Sequence, residues 1–135
     1  MLLQAITIND QDYERALNEV DFIKKFIFPG SFIPSITAIA NSSVKVSDLR
    51  LYSLEDMTPH YERTLLDWQE RFNDNFAEIS KFGFDQQFRR MWNFYFAYCA
   101  GGFAERKIGS VHMLFGKPQY RDDLSVRTSF IKGGM

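Results

Sequence analysis

This sequence is short of the residues from which many functional sites are built. It has one cysteine and two histidines, and its formal charge at pH 7 is only -1. A lone thiol, Cys99, excludes an internal disulfide, and its aromatic surroundings mark it as a buried, inert group. His60 and His112 lie far apart, with no cysteine or carboxylate at metal-ligand spacing beside them, so no metal site is expected. The near-neutral balance, without any basic run, gives no field for nucleic acid, which is not expected as a partner. No apolar stretch reaches the roughly 18 residues that would cross a bilayer, and the N-terminus carries no basic leader. A cytoplasmic location follows, with contact to the inner face of the membrane only as a peripheral protein. Glycine is missing where a phosphate or dinucleotide would need it, between a strand and a helix. Gly101-Gly102, the one glycine pair before the tail, lies at the end of an aromatic helix and reads as a break or a close-packing point.

Apolar bulk, in contrast, is plentiful. The 135 residues are 45% hydrophobic and 16% aromatic, with 14 phenylalanines. That is enough for one domain with its own core, and the aromatic excess implies either an aromatic-rich core or an apolar pocket. Met1 to Ile8 reads as a strand buried on both faces of a parallel sheet. Tyr13, Leu17, Val20, Ile23 and Ile27 give helical spacing up to the stop at Pro29-Gly30. Pro34 to Asn41 is a short helix with proline in its first turn, Ser42 and Ser43 punctuate, and Val44 to Tyr52 reads as a strand. Thr58-Pro59 starts a long helix, the threonine as its cap, with Tyr61, Leu65, Trp68, Phe72, Phe76 and Ile79 on one face. Gly83 breaks it and Asp85 caps the next helix, whose face carries Phe88, Met91, Trp92, Tyr95, Tyr98, Cys99 and Phe103. A last strand runs from Ser110 to Phe115 after Gly109. Residues 1–118 form the folded part, and 119–135 a polar, mobile tail. The order is α/β: three strands, with a long helical hairpin before the third.

Few side chains stand out chemically. Asp21, Glu55, Asp56, Glu62 and Asp67 are scattered carboxylates, and mixed-sign faces such as Glu62-Arg63 are ordinary solvated surface. Tyr61 differs because it occupies the first turn of the long helix just after a loop, where its ring can pack inward while its hydroxyl points into a cavity.

Four segments carry a resemblance, in order along the chain: Leu2-Leu3-Gln4-Ala5-Ile6-Thr7-Ile8; Asp21-Phe22-Ile23-Lys24-Lys25-Phe26-Ile27-Phe28-Pro29-Gly30; Tyr61-Glu62-Arg63-Thr64-Leu65; and the aromatic run from Phe88 to Cys99. With these the chain resembles the C-terminal portion of the cyclopropane-fatty-acyl-phospholipid synthase and mycolic acid cyclopropane synthase family. The resemblance implies a class I, Rossmann-like, S-adenosylmethionine-dependent methyltransferase fold, of which this chain has the last three strands and the added hairpin. It implies transfer of a methyl group to the cis double bond of an unsaturated phospholipid acyl chain, after which bicarbonate removes a proton and the ring closes. Tyr61 matches the tyrosine that holds bicarbonate, Ile6 falls where a backbone contact is made, and Gln4 falls where the family often has a histidine. An amide there can still donate to an anion but cannot take its proton or carry charge. Phe94, Tyr95 and Tyr98 resemble the part that shapes the acyl tunnel.

The family's other bicarbonate ligands and its cofactor loop belong upstream of residue 1. The chain alone is therefore expected to bind no S-adenosylmethionine and to be inactive, as a fragment or as one half of a split enzyme whose N-terminal half is a separate chain. The competing expectation is a non-catalytic lipid-binding or oligomerisation module derived from the family. Either way, an exposed strand edge and apolar face predict a homodimer, with exchange of strands or helices as one route.

Overall fold

Three strands form one sheet in the order β1-β3-β2: β1 (Leu2–Ile8), β2 (Arg50–Asp56) and, between them and antiparallel to both, β3 (Ile108–Gly116). The computed structural model describes residues 1–121, so most of the tail expected after Pro118 lies outside the described residues. β3 holds the sheet together because its alternating side chains are buried on both faces. Val111, Met113 and Phe115 face one side, where Leu3, Ala5, Ile36, Ile39 and Leu49 pack on them. Ile108 faces the other, against Leu65, Phe96, Ala100 and Phe103.

β1 corrects its sequence reading. It pairs only with β3, antiparallel, and its burial alternates, so that Leu2 (65% exposed) and Ile6 (39%) face outward while Thr7 is buried. Alternation of this kind marks a half-buried strand and not one enclosed on both faces.

The helix expected over 13–28 is two pieces. α1 (Asp10–Asn18) ends where Lys24 Nζ reaches back to the Ala16 and Glu19 carbonyls, and a separate π-helical turn covers Ile23–Ile27. The lysine satisfies the carbonyls that a continuing helix would have bonded. α2 (Ile36–Val46) starts one residue after Ser35, whose hydroxyl accepts from the Ala38 N–H as its cap. It runs through Ser42, Ser43, Val44 and Val46, so the strand expected at 44–52 is displaced to Arg50–Asp56.

α3 (Thr58–Asp74) and α5 (Gln86–Ala104) form the predicted hairpin. The first helix does not continue unbroken to Ile79. It stops at Asn75, and α4 (Phe76–Ser80) and a turn with Gly83 at φ 90° lead into α5. Asp85 caps α5 as expected, accepting from the Phe88 N–H at 2.9 Å. The hairpin is fastened by a polar clasp of Gln69, Asn73, Arg89 and Asn93 and by tilted ring contacts of Phe72 with Trp92 and Phe96.

Candidate active site

Tyr61 owes its position to the junction between β2 and α3, which is a single residue long. Asp56, the last residue of β2, accepts from the Thr58 N–H at 2.9 Å. The Thr58 hydroxyl accepts from the Ser110 N–H at 3.2 Å, and Met57 N–H donates to the Ser110 carbonyl at 2.7 Å. The expected cap at Thr58 is thus corrected: Asp56 serves the helix end through an Asx-type turn, and Thr58, 4% exposed, ties the helix to β3. Thr58 and the Arg106 guanidinium, in that order, hold the Asp56 carboxyl below the usual carboxylate range. One turn later the Tyr61 ring leans on Phe103, with centroids 5.2 Å apart.

From the opposite side, Gln4 donates its side-chain N–H to the Tyr61 hydroxyl oxygen. A phenol that accepts from an amide keeps its own proton to donate elsewhere, and such a chain polarises the O–H. Ile6 lies two residues along on the same face. Met1 and Phe115 exchange both backbone hydrogen bonds, whereas the Ile8 N–H points away from β3 to the Pro34 carbonyl. Odd residues of β1 therefore bond to β3, and the backbone groups of Gln4 and Ile6 face the edge of β1 that β3 does not occupy.

Two residues the sequence reading left without a role stand beside this pair. Glu55, His112 and Gln4 occupy one rung across all three strands, and directly opposed residues project to the same face. His112 Nδ1 lies 3.9 Å from Glu55 Oε2. Ser110, fully buried, shares this face of β3, and its hydroxyl has no hydrogen-bond partner among the described residues. The signal for this row was the alternation Ile108, Ser110, His112, Leu114, which sets two polar side chains among apolar ones on one face.

The aromatic helices divide. Tyr95 is half-buried against Phe28 and Trp92, whereas Phe94 and Tyr98 are about half exposed and stack on each other beside Phe22. Burial pushes the Tyr95 and Tyr98 phenols up, and burial together with Asp21 pushes the Cys99 thiol up to about 11. That thiol is therefore unreactive at neutral pH. Gly102 is a close-packing point, since a Cβ there would meet Ile108 carbons at 3.2 Å.

A cavity of about 390 Å³ opens at the carboxyl ends of β1 and β2, lined by Thr7, Asp10, Asp56, Thr58, Arg106 and Gly109 among others. Asp56 is engaged by the Thr58 N–H and the Arg106 guanidinium, and Ser35 and Thr37 hold the Asp10 carboxyl below its usual range. The two strand-to-helix turns, Ile8-Asn9-Asp10 and Asp56-Met57-Thr58, contain no glycine, and Gly30 and Gly83, which have positive φ, follow helical turns. Neither turn offers the glycine-lined cradle expected of an S-adenosylmethionine site. An anion at Gln4 and Tyr61 fits better, because both offer donors.

A three-stranded sheet end with a long helical hairpin laid on it is the C-terminal part of a Rossmann-like class I methyltransferase fold. More narrowly, the chain belongs to the mycolic acid cyclopropane synthetase family, whose family model matches residues 1–113. It is 37% identical over 101 residues to tuberculostearic acid methyltransferase UfaA1 of Mycobacterium tuberculosis, covering 75% of this chain and 24% of that protein. It is 33% identical over 101 residues to the cyclopropane-fatty-acyl-phospholipid synthase of Escherichia coli strain K12, covering 75% and 26%. The chain thus spans about a quarter of the length of these relatives. Among solved structures, cyclopropane synthase MmaA2 from Mycobacterium tuberculosis superposes with a TM-score of 0.73 at 25% identity, over 86% of this chain and 43% of that one. Mycolic acid cyclopropane synthase CmaA1, complexed with SAH and CTAB, shares the fold at the same TM-score and 23% identity, over 87% and 44%.

Proposed function

We propose that this chain supplies the acyl-chain side of an S-adenosylmethionine-dependent lipid methyltransferase that forms cyclopropane or methylated fatty acyl chains on unsaturated phospholipids. The observation that carries this reading is the Gln4–Tyr61 hydrogen bond, with the backbone of Ile6 beside it on the open edge of β1. In the complete site, Tyr61 donates its free proton to a bicarbonate and Gln4 offers its second N–H, with Ile6 contributing a backbone contact. Bicarbonate, when bound, supplies the base for the proton lost before ring closure. Phe103 packs against Tyr61 and Phe28 meets Tyr95; with the lipid and the rest of the fold in place, we infer that these rings help to keep bulk water from the carbocation. The relative CmaA1 complexed with SAH supports the cofactor class.

The strand-to-helix turns among the described residues offer no fitting cofactor loop, so we infer that these 135 residues are inactive by themselves and that supplying an N-terminal portion of the family's kind restores activity. Calorimetric titration of the chain with S-adenosylmethionine tests this: no saturable binding is expected, and turnover of an unsaturated phospholipid by the isolated chain refutes it. A second reading, a non-catalytic lipid-binding or oligomerisation module, is favoured by exposed rings such as Phe26 (54%) and Phe94 (52%). Copurifying acyl lipid with no gain of activity on adding an N-terminal half would select it. Under both readings we infer that the chain meets its lipid at a membrane surface; no helix among the described residues is long and apolar enough to cross one. Under the second reading, in which no bicarbonate takes the Ile6 backbone, the open edge of β1, with Leu2 and Ile6 exposed beside it, is where a second copy pairs to make a homodimer.

A further inference from the structure

The Gln4–Tyr61 site lacks a charge of its own. An amide and a phenol donate hydrogen bonds, but neither is cationic, and an anion leaving water for such a site needs a compensating charge. A group that can supply one is on the adjacent strand. Gln4 and His112 are directly opposed in the register of β1 and β3. Because the odd residues of β1 make the hydrogen bonds to β3, Gln4 and His112 form a non-hydrogen-bonded pair. In such pairs the Cα atoms lie only about 4.5 Å apart and the side chains are close. On the far side of His112, Glu55 holds its Oε2 3.9 Å from Nδ1. Nε2 has no protein partner among the described residues.

We propose that His112 is the cationic member of the anion site at Gln4 and Tyr61: protonated and steadied by Glu55, it supplies the positive charge that the other two lack. This rests on the reading of Gln4 and Tyr61 as anion donors given above. It adds a group on a different strand, which makes occupancy of the site depend on pH. The other charged or titratable groups around the imidazole are few. Glu55 comes from β2, and β1 offers neutral Gln4 and, at its start, the Met1 ammonium, which is tied to the Phe115 carbonyl at 2.7 Å. α3 brings Tyr61 and, next to it, the half-buried Glu62. α5 meets this face of β3 through Gly102 and Phe103 near Ile108, and it brings the Tyr95 phenol and the Cys99 thiol to the same cluster as Tyr61.

The test uses nitrate, a planar trigonal anion whose charge does not change between about pH 5 and pH 8, the range in which histidine titrates. Nuclear magnetic resonance titration of the whole chain reads nitrate affinity from the Tyr61 and His112 signals. The expected result is about tenfold tighter binding at the acid end, the size of a charge interaction across a few ångströms in a half-exposed site. Saturating nitrate should also raise the titration midpoint of His112, a readout that needs no variant. H112Q should bind at both ends of the range as weakly as the native chain does at the alkaline end. Y61F should weaken binding at both ends while keeping the acid-to-alkaline ratio. Native binding that is independent of pH, an unchanged ratio in H112Q, or no saturable binding overturns the assignment of His112. Nitrate binding that persists unchanged in both Y61F and Q4A overturns the underlying anion reading instead.

Discussion

Replacing Asn93 by alanine tests how the two long helices are held in register. Its carboxamide accepts from Gln69 Nε2 at 3.0 Å and Asn73 Nδ2 at 2.7 Å, and donates to Asn73 Oδ1 at 3.1 Å and the Arg89 carbonyl at 3.0 Å. Four bonds at about 1 kcal/mol each would suggest a loss near 4 kcal/mol. The structure argues for less, because no partner is orphaned. Gln69 keeps the Asn93 carbonyl at 3.2 Å, Asn73 Nδ2 keeps the Gln69 carbonyl at 2.9 Å, and Asn73 Oδ1 keeps Arg89 Nε at 2.9 Å. Alanine also gains roughly 0.5 kcal/mol of helix propensity over asparagine. The expected cost of N93A is therefore about 1–2 kcal/mol, seen as a lower urea midpoint at unchanged slope. Asn73 lies about 18 Å along α3 from Tyr61 at 1.5 Å per residue, so nitrate affinity should not move. A loss of about 4 kcal/mol, or a double variant with N73A whose effects simply add, refutes the reasoning, since direct partners must couple.

The glycine pair in α5 separates propensity from packing. G101A meets nothing within 4 Å and should add about 0.5–1 kcal/mol of stability, while G102V must push into Ile108, 3.2 Å away, and should cost about 1–3 kcal/mol; thermal melts with equal shifts for both would contradict this. Asp56 gives an acid-sensitive contribution. Its folded value lies below the unfolded carboxylate value of about 3.9, so the stability it lends is complete above that pH and is lost as pH falls through the folded value. With its side chain 44% exposed the effect is small. D56N should flatten the fall of the urea midpoint on acidification, and an unaltered acid limb would contradict the role.

The hairpin was legible in the sequence because its signal is local. Leu65, Phe72 and Phe76 repeat at the helical period, and all three contribute to buried ring or core contacts. Elsewhere the same period misled. Val20 continues the spacing of α1 but is 74% exposed in a non-helical link, because a lysine reaching back ends the helix and leaves no mark in the apolar pattern. Val44 and Val46 read as strand residues by their branching, yet they are 75% and 85% exposed on the last turn of α2. β2 could not be located by alternation, since only one of its residues, Tyr52, is even partly buried. Tyr61 stands out by its place in the first turn of a long helix, whereas Gln4, Ile6 and the role of all three come from the family resemblance. That Gln4 meets Tyr61 and faces His112 depends on a register between residues more than fifty positions apart, which no local pattern encodes.

The geometry of that meeting rests in turn on a glycine that the sequence presented only as the opening of a strand. At Gly109 a Cβ would stand 3.1 Å from Thr58 Oγ1 and 3.2 Å from Thr7 Oγ1, so the bare backbone lets β1, β3 and the first turn of α3 converge on one point. Thr58 uses that proximity to bond the Ser110 N–H, and Asp56 fixes the Thr58 N–H. The start of α3 is thereby set against the sheet within hydrogen-bond tolerance. Tyr61 follows three residues later, less than one turn of a stiff helix, so little play remains between its hydroxyl and the Gln4 amide. The two neutral donors proposed to hold an anion need that exactness more than a cationic member does, because hydrogen bonds weaken steeply with misalignment while a charge interaction falls off slowly with distance. The buried threonines at 7 and 58, bracketing Gly109, thus belong to the architecture of the site although neither is within it.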